Sequence, residues 1–584
     1  MTYRHFRLLA IAAVVCLSGA ASPALGAAET VKDHILVNHV GFVPQGAKYC
    51  VILDPPAKEF SVFKGWSDTA VLKGPLRHAN AELGDGWVGD FSDAHEEGIY
   101  TVRCGGLWSR PVIISRKVLD EPLRVLFGYF PTQRCGPSAT GWNAPCHLDD
   151  ARRVDTGEQL DLAGGWHQSC DLRKWMFGTP YGLVGLSQLG LLKDPRWDRG
   201  QIADELCWGN RYFHHMVRPD GGLMDHIVVP VRWQGRNVYP NDPPVCANYL
   251  MIVGQAMAAR YLKDKDADHS RKCLEVATRL WRHVMDPATP PGPYRPTVVP
   301  KFHDWLIGYF DGYYRGSALE RGDALYAALK LHEATGDAAF LTQACALAGD
   351  LVKLQLGGDV AANPAAACFR VGPDRKDLTA ASTFGALGLA ELSLLRPNHP
   401  DAGRWKQAVT LMASQKCNMA ERNPWGLIPC YWYADRPGAG RPAGTARYHY
   451  FFRFNGPKGR LESGPNLDIL GSGLFLLRAS RLCGEKRYFQ TACRQVDWVL
   501  GVNPFDASTV EGVGVNQPLR FINYGEFFPP TPQIPGAVMT GIQGDDNDNP
   551  APFGNNCSTE YDMPPTAMLM WLLGELSNPV KSEL

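Results

Sequence analysis

The sequence predicts a multidomain chain: a small β-sandwich followed by an all-α barrel of the (α/α)6 type. Three observations carry this. The 584 residues exceed what one ordinary core holds. Residues 34–118 read as short apolar or alternating runs separated by turn residues. From about Glu121 onward the apolar period becomes that of helices and stays so to the C-terminus.

The strand-like runs are 35–37, 49–53, 60–63, 87–91, 99–103 and 111–114. Strands this short, closely spaced and broken by turns, fold into a small sandwich. The helical patterns cover 121–134, 178–193, 200–217, 245–263, 267–285, 319–335, 338–355, 378–396, 402–418, 464–482, 486–500 and 563–576. Twelve helices in consecutive hairpins, with long Pro/Gly-rich loops between alternate members, close into a double ring. The loops at one end then form a cleft. A superhelical array would also be all-helical, but no fixed repeat length is present.

Arg4, His5 and Arg7 precede an apolar run over 8–17, and small residues then lead to Ala24-Leu25-Gly26-Ala27. This is the pattern of a secretory signal peptide over residues 1–27, too short to span a bilayer. Val15 is bulky where a lipoprotein processing site before Cys16 needs a small residue. No later stretch reaches ~20 uninterrupted apolar residues. The chain is therefore expected to be exported, periplasmic or extracellular, with no membrane anchor. Lys+Arg and Asp+Glu are both 59, so there is no electrostatic footprint for nucleic acid or an acidic membrane. Sixteen Trp and 21 Tyr supply flat amphipathic rings suited to sugars, although most serve a core. Apart from Cys16 the cysteines are odd in number and thinly spread, which is no disulfide framework.

The densest local signal is Asp161-Leu-Ala-Gly-Gly-Trp-His-Gln-Ser-Cys-Asp171-Leu-Arg-Lys-Trp175. Paired glycines let the backbone approach a ligand closely. Asp171 reads, on its own, as an N-cap at the mouth of the next helix. Near the C-terminus, Asn556-Cys-Ser-Thr-Glu560-Tyr-Asp562 leads into the last helix, where Glu560 reads as a first-turn acid. Cys135, Cys146, His147 and His167 suit tetrahedral zinc, while buried thiols or a Cys135–Cys146 disulfide fit the same spacing.

Taken together, these segments resemble the inverting glycoside hydrolases of family 9. Gly164, Gly165, Trp166, His167 and Asp171 match a signature of Gly-Gly-Trp, an aromatic or His, then Asp-Ala-Gly-Asp. The resemblance implies that Asp171 is the base that activates the hydrolytic water. Gln168 replaces the other Asp of the signature and Ser169-Cys170 replace Ala-Gly. A carboxylate that normally helps hold the same water is thus missing, and Gln168 is expected to orient that water or read a substrate group. The C-terminal segment resembles the Asn-Glu segment that supplies the general acid, which implies that role for Glu560. Leu500-Gly-Val-Asn-Pro504 and Val510-Glu-Gly-Val-Gly514 resemble two further family segments. The sugar-binding His-His-Arg cluster that follows is here Asn516-Gln-Pro-Leu-Arg520, keeping only the Arg520 cation and counting against plain cellulose. The resemblance further implies an immunoglobulin-like sandwich over 33–118 and a catalytic barrel over 120–580. It also implies a structural zinc on Cys135, Cys146, His147 and His167 that stiffens the loop bearing Asp171.

The implied reaction is hydrolysis of a β-glycosidic bond in a poly- or oligosaccharide. Inversion asks for two carboxyls ~6.5–9.5 Å apart with a water between them. A closed ring brings its first and last hairpins together, so Asp171 and Glu560 can share a site. Trp305 and Tyr309 in one loop, and Trp432 in another, are stacking platforms or packing. Gly544-Asp-Asp-Asn-Asp-Asn549 is rich in oxygen ligands but lacks EF-hand spacing, and no calcium is assigned to it. Two other readings use the same barrel. One is a polysaccharide lyase, with His or Tyr as base and Arg173 or Arg520 neutralising a uronate. The other is a non-catalytic glycan-binding protein, since Gln168 removes a usual carboxylate.

Overall fold

Side chains that alternate between core and solvent build the first unit. Its strands are β1 (Tyr49–Ile52), β2 (Glu59–Lys64), β3 (Ala70–Ala81), β4 (Gly84–Asp90), β5 (Gly98–Cys104), β6 (Leu107–Trp108) and β7 (Val112–Ile114). They follow the order β1-β4-β3-β2-β5-β6, with β7 also on β5. The long strand β3 was not among the expected runs, because Gly74-Pro75 and Arg77-His78 break its alternation. Pairing makes it a strand: β2 lies along its first half and β4 along its second, so the sheet folds over itself. Phe60, Val62, Tyr100, Val102, Val112 and Ile114 fill the space between the two halves. The result is the expected immunoglobulin-like sandwich.

The computed structural model describes residues 34–577 apart from 139–143, 195, 197–198, 229–235, 289–293, 295–309, 311, 435–445, 454–461, 522–532, 546 and 554–555. After the sandwich come α1 (Asp120–Thr132), α2 (Tyr181–Leu191), α3 (Arg199–Phe213), α4 (Val245–Leu262), α5 (Ala267–Met285), α6 (Ala318–Thr335), α7 (Ala338–Val352), α8 (Thr383–Leu395), α9 (Ala402–Arg422), α10 (Asn466–Cys483), α11 (Lys486–Val499) and α12 (Met563–Ser577). Contacts run α2–α4–α6–α8–α10–α12 and back to α2, which closes an inner ring. Each inner helix also packs on an outer one: α1 on α12, α3 on α2, α5 on α4, α7 on α6, α9 on α8 and α11 on α10.

The residues explain this division. Inner helices such as α4 and α12 are buried nearly all round, whereas α5 buries a stripe of Ser270, Cys273, Ala277, Leu280, Trp281 and Val284. Glycines let the inner helices close: a Cβ on Gly185 would lie 2.9 Å from the Ala567 backbone, and one on Gly322 2.7 Å from that of Gly385. Among the described residues no helix is long and apolar enough to cross a membrane. The loops at the α1/α2 end also carry a small sheet that a purely helical expectation omits. It comprises β8 (Arg152–Arg153), β9 (Lys174–Trp175), β10 (His226–Val228) and β11 (Asn237–Tyr239), in the order β8-β11-β10-β9.

Candidate active site and metal cage

The 161–175 loop is held from beneath. Gly164 and Gly165 adopt φ of +105° and +71°, the left-handed region that other side chains avoid. They turn Trp166 inward, where its ring rests against Gly182 and Gly209, at which a Cβ would approach it to 3.0 and 2.1 Å. Its Nε1 donates to Glu205 at 2.6 Å, and Arg134 holds the same carboxylate at 2.6 Å. Lys174, fully buried, pairs with Asp150 at 2.7 Å and donates to the carbonyls of Leu162 and Gly164 at 3.0 Å each. Buried charge of this kind persists only when every proton has an acceptor, and here it stitches both ends of the loop together.

Asp171 does not cap a helix, since α2 begins only at Tyr181. Pairing of Lys174-Trp175 with β10 extends the chain immediately after it. Asp171 instead organises its own turn: Oδ1 accepts from the Arg173 amide at 3.1 Å and from Ser169 Oγ at 2.9 Å, and the Arg173 guanidinium lies 3.2 Å from Oδ2. Glu560 likewise precedes α12 rather than entering its first turn, following the short helical turn Asn556–Thr559. Ring closure brings the two acids together. Ser169 Oγ is 2.8 Å from Glu560 Oε1, so one hydroxyl bridges both carboxyl groups. The bridged oxygens, the nearest pair the hydroxyl links, are therefore under about 6 Å apart, while the ~6.5–9.5 Å that inversion asks for is counted between whole carboxyl groups. Ser169 makes this bridge with a hydroxyl where the signature has Ala. Burial, reinforced by the negative charge of Asp171, pushes the Glu560 carboxyl up to about 7.

Asp562 is a third acid in this cluster. Burial and then Glu560 hold its carboxyl well above the usual range, and the Gln168 amide donates to it. Gln168 is 5% exposed, with Thr179 Oγ1 3.4 Å from its Oε1 and Gly178 packed against its amide. It thus faces the carboxyl cluster rather than open solvent. The backbone links the first and last hairpins here, with Met563 N donating to Gln168 O at 3.1 Å and the Tyr129 hydroxyl to the same oxygen at 3.0 Å.

Arg520 donates to both oxygens of Glu511 at 2.9 and 2.7 Å, and its guanidinium lies 5.6 Å from the Tyr561 ring centre. It therefore borders the cluster. Trp432 stands in a hairpin of Tyr431–Ala434 and Ala446–His449, edge-on to its cross-strand partner Tyr448. That hairpin is anchored by Asp548, whose carboxylate takes Arg447 at 2.6 Å and His449 at 3.2 Å, so this Asp of the acidic run serves packing. Trp305 and Tyr309 lie outside the described residues. Sequence reasoning missed Ser169 and Asp562. The only hint was that Ser169 adds a hydroxyl to a signature position and that Asp562 follows Glu560 by two.

Cys135, Cys146, His147 and His167 come together, all buried, with a ligand atom of each within 4.8 Å of the others. Both cysteines are free, so the disulfide alternative is not realised. Cys135 Sγ is 3.4 Å from His147 Nδ1, Cys146 Sγ is 3.5 Å from His167 Nε2, and the two nitrogens are 3.3 Å apart. Donors ~2.0–2.3 Å from a tetrahedral zinc stand ~3.3–3.8 Å from one another, so the set fits that ion. Burial opposes ionisation of Cys135, yet hydrogen bonding with Cys146, with help from Lys174 and His167, outweighs it and holds the thiol well below its ordinary value. Burial, with Arg236, lowers His147 to about 4, leaving a neutral ring able to ligate. Backbone bonds join this cage to the loop: Cys135 N donates to Gly165 O at 2.9 Å and His167 N to Gln133 O at 2.8 Å.

The chain is similar to the cellodextrinase of Butyrivibrio fibrisolvens, 22% identical over 528 residues that cover 82% of this chain and 85% of that one. A family 9 glycoside hydrolase structure from Bacteroides ovatus superposes with a TM-score of 0.67 at 18% identity, covering 93% and 99% of the two chains. A zinc-binding triple mutant of family 9 endoglucanase J30 superposes with a TM-score of 0.65 at 18% identity, covering 92% and 99%. The model of a cellulase N-terminal immunoglobulin-like domain matches residues 30–109. The model of glycosyl hydrolase family 9 matches residues 120–571, most of the chain and all of the helical ring but the end of α12, and the chain belongs to that family.

Proposed function

We propose that this glycoside hydrolase cleaves β-glycosidic bonds in a gluco-oligosaccharide or glucan, with Asp171 as base toward water and Glu560 as acid toward the leaving oxygen. The substrate class follows the cellodextrinase and endoglucanase names of its relatives. The observation that carries the reading is one hydroxyl, Ser169 Oγ, shared by two carboxyl groups of unlike setting. Glu560, pushed up to about 7, keeps a proton to give near neutral pH, while Asp171 lies 3.2 Å from the Arg173 guanidinium. In this reading substrate and a hydrolytic water enter between the two carboxyl groups and displace the Ser169 hydroxyl that bridges them. The product then carries inverted configuration. A lyase would need Arg173 or Arg520 to meet a uronate, and both are engaged with carboxylates of the chain.

The Cys–His cage holds zinc in this reading. Four protein donors leave no open position, so the metal would brace the loop and not activate water. Residues 1–27 act as an export signal, and the mature chain works outside the cytoplasm. The deciding experiment exposes purified protein to β-glucan, xylan, glucomannan, chitosan and uronic-acid polysaccharides. Reducing ends and unsaturated products are read together, with proton NMR following the first anomer formed. Release of the α-anomer from a β-glucan is the expected result. A β-anomer as first product refutes the proposed roles, and unsaturated products refute hydrolysis.

A further inference from the structure

A second group of soft donors lies away from the carboxyl cluster, where the end of α3 meets α5. His214, in the turn after α3, and His269 and Cys273, one turn apart on α5, bring a ligand atom each to within 4.8 Å of the others. His214 Nε2 is 3.8 Å from Cys273 Sγ and 3.2 Å from Gln255 Oε1. Around a tetrahedral ion, nitrogen and sulfur donors stand ~3.6 Å apart and nitrogen and oxygen donors ~3.3 Å. Both separations therefore need only a few tenths of an ångström of adjustment.

The surroundings are built for polarity where packing does not require it. Further along α5 the buried residues are Ala277, Leu280, Trp281 and Val284, so an apolar side chain would fit the stripe. Instead, the Asn210 amide donates to Cys273 Sγ at 3.3 Å, and Asn210 Oδ1 accepts from Gln255 Nε2 at 2.7 Å. That chain of bonds turns the Gln255 carbonyl oxygen toward His214. His269 Nε2 is buried without a hydrogen-bond partner among the described residues, a desolvation cost that a bound cation would remove. A cavity of about 400 Å³ lined by Asn210, His214, His269 and Lys272 opens beside the group and provides a way in. His269 also lies near Cys207 and Asp266, but Asp266 is exposed and already caps α5 through the His269 amide at 2.9 Å.

We propose that His214, His269 and Cys273 form a second, exchangeable site for a zinc-class divalent ion, with the Gln255 oxygen or solvent in the fourth place. It would tie the end of α3 to α5 on the outside of the ring. The test is a cobalt(II) titration of the metal-free full chain, followed by visible absorption and by metal analysis after gel filtration. Two equivalents are expected in the parent protein. His269→Gln, at a partly exposed position, weakens one of them at least tenfold, and Cys273→Ser removes its sulfur-to-cobalt band. Cys146→Ser removes the other equivalent and leaves this one. A single equivalent that disappears in Cys146→Ser and survives unchanged in His269→Gln overturns the proposal while sparing the cage. A single equivalent with the opposite dependence overturns the cage and sustains this site.

Discussion

Replacing Glu560 by Gln isolates the proton-donor role, because the amide keeps the shape and loses the proton. In the parent protein Glu560 titrates at about 7. Its protonated fraction is then about half at pH 7 and drops roughly tenfold per unit above, so kcat/KM on an unactivated glycoside should fall to about 1% by pH 9. The groups that set this value are Asp171, Arg173, Ser169 and Cys170 from the loop, with burial as the largest cause. In Glu560→Gln the rate on that substrate should drop by roughly 10²–10⁴-fold, and the alkaline limb should vanish. An aryl glycoside with a good leaving group needs little proton assistance and should lose far less. Stability carries the same signature with a checked sign. A carboxyl raised in the folded state stabilises below its ordinary value, and this contribution is lost as pH rises to about 7; buried Asp323, Asp497 and Asp562 are raised as well and persist in the variant, so the parent melting temperature should decline more steeply over that window than the variant's. Equal losses on both substrates, or an alkaline limb that persists in the variant, would refute the assignment.

Asp171→Asn should remove roughly 10²–10⁴-fold of the hydrolytic rate, with partial recovery by azide attacking from the vacated side; full activity in this variant would exclude Asp171 as base. Stripping the zinc proposed for the cage, or Cys146→Ser, should lower the melting temperature, and activity should fall in proportion to loosening of the loop; unchanged melting after verified metal loss would remove the structural role. Gln168→Asp sets a further carboxyl against buried Asp562 and removes the amide that donates to it. It should destabilise by about 1–3 kcal/mol in urea unfolding and should not create cellulase activity.

The outer helices were legible through an apolar stripe repeated over three or more turns, the inner ones as long apolar runs without strand-like breaks, and the closed ring followed from their number. Strand β3 was illegible because its identity comes from two partners, one per half, while Gly74 and Pro75 spoil its local pattern. The same limit applies at the site. Asp171 and Glu560 stand out through the motifs around them, but reading both as helix-end acids misplaces them by several residues. Their real setting depends on β9 pairing with β10 and on where α12 begins. Ser169 was visible only as a departure from a signature. Its contact with Glu560, 391 positions away, exists because α12 closes on α2. The four cage residues come together as the donor set their residue types suggest, and only the free state of Cys135 and Cys146 sets the disulfide aside.

The loop derives its precision from two anchors on either side of the reacting groups. On one side His167 is fixed twice, by its nitrogen in the cage and by its amide on Gln133 O. On the other, Lys174 is clamped by Asp150 and two loop carbonyls. Between them, Gln168 O takes protons from Met563 N and the Tyr129 hydroxyl, which ties the middle of the loop to the first and last helices. Cys170 and Asp171 lie between these fixed points, and the segment carrying Glu560 is bound to the same frame by the Ser169–Asp562 pairing. The proposed acid and base thus share one support although they come from opposite ends of the barrel sequence. Positioning to within a fraction of an ångström is where much of an enzyme's advantage arises. Loosening either anchor should therefore lower kcat before it weakens substrate binding, a split that steady-state kinetics reads directly.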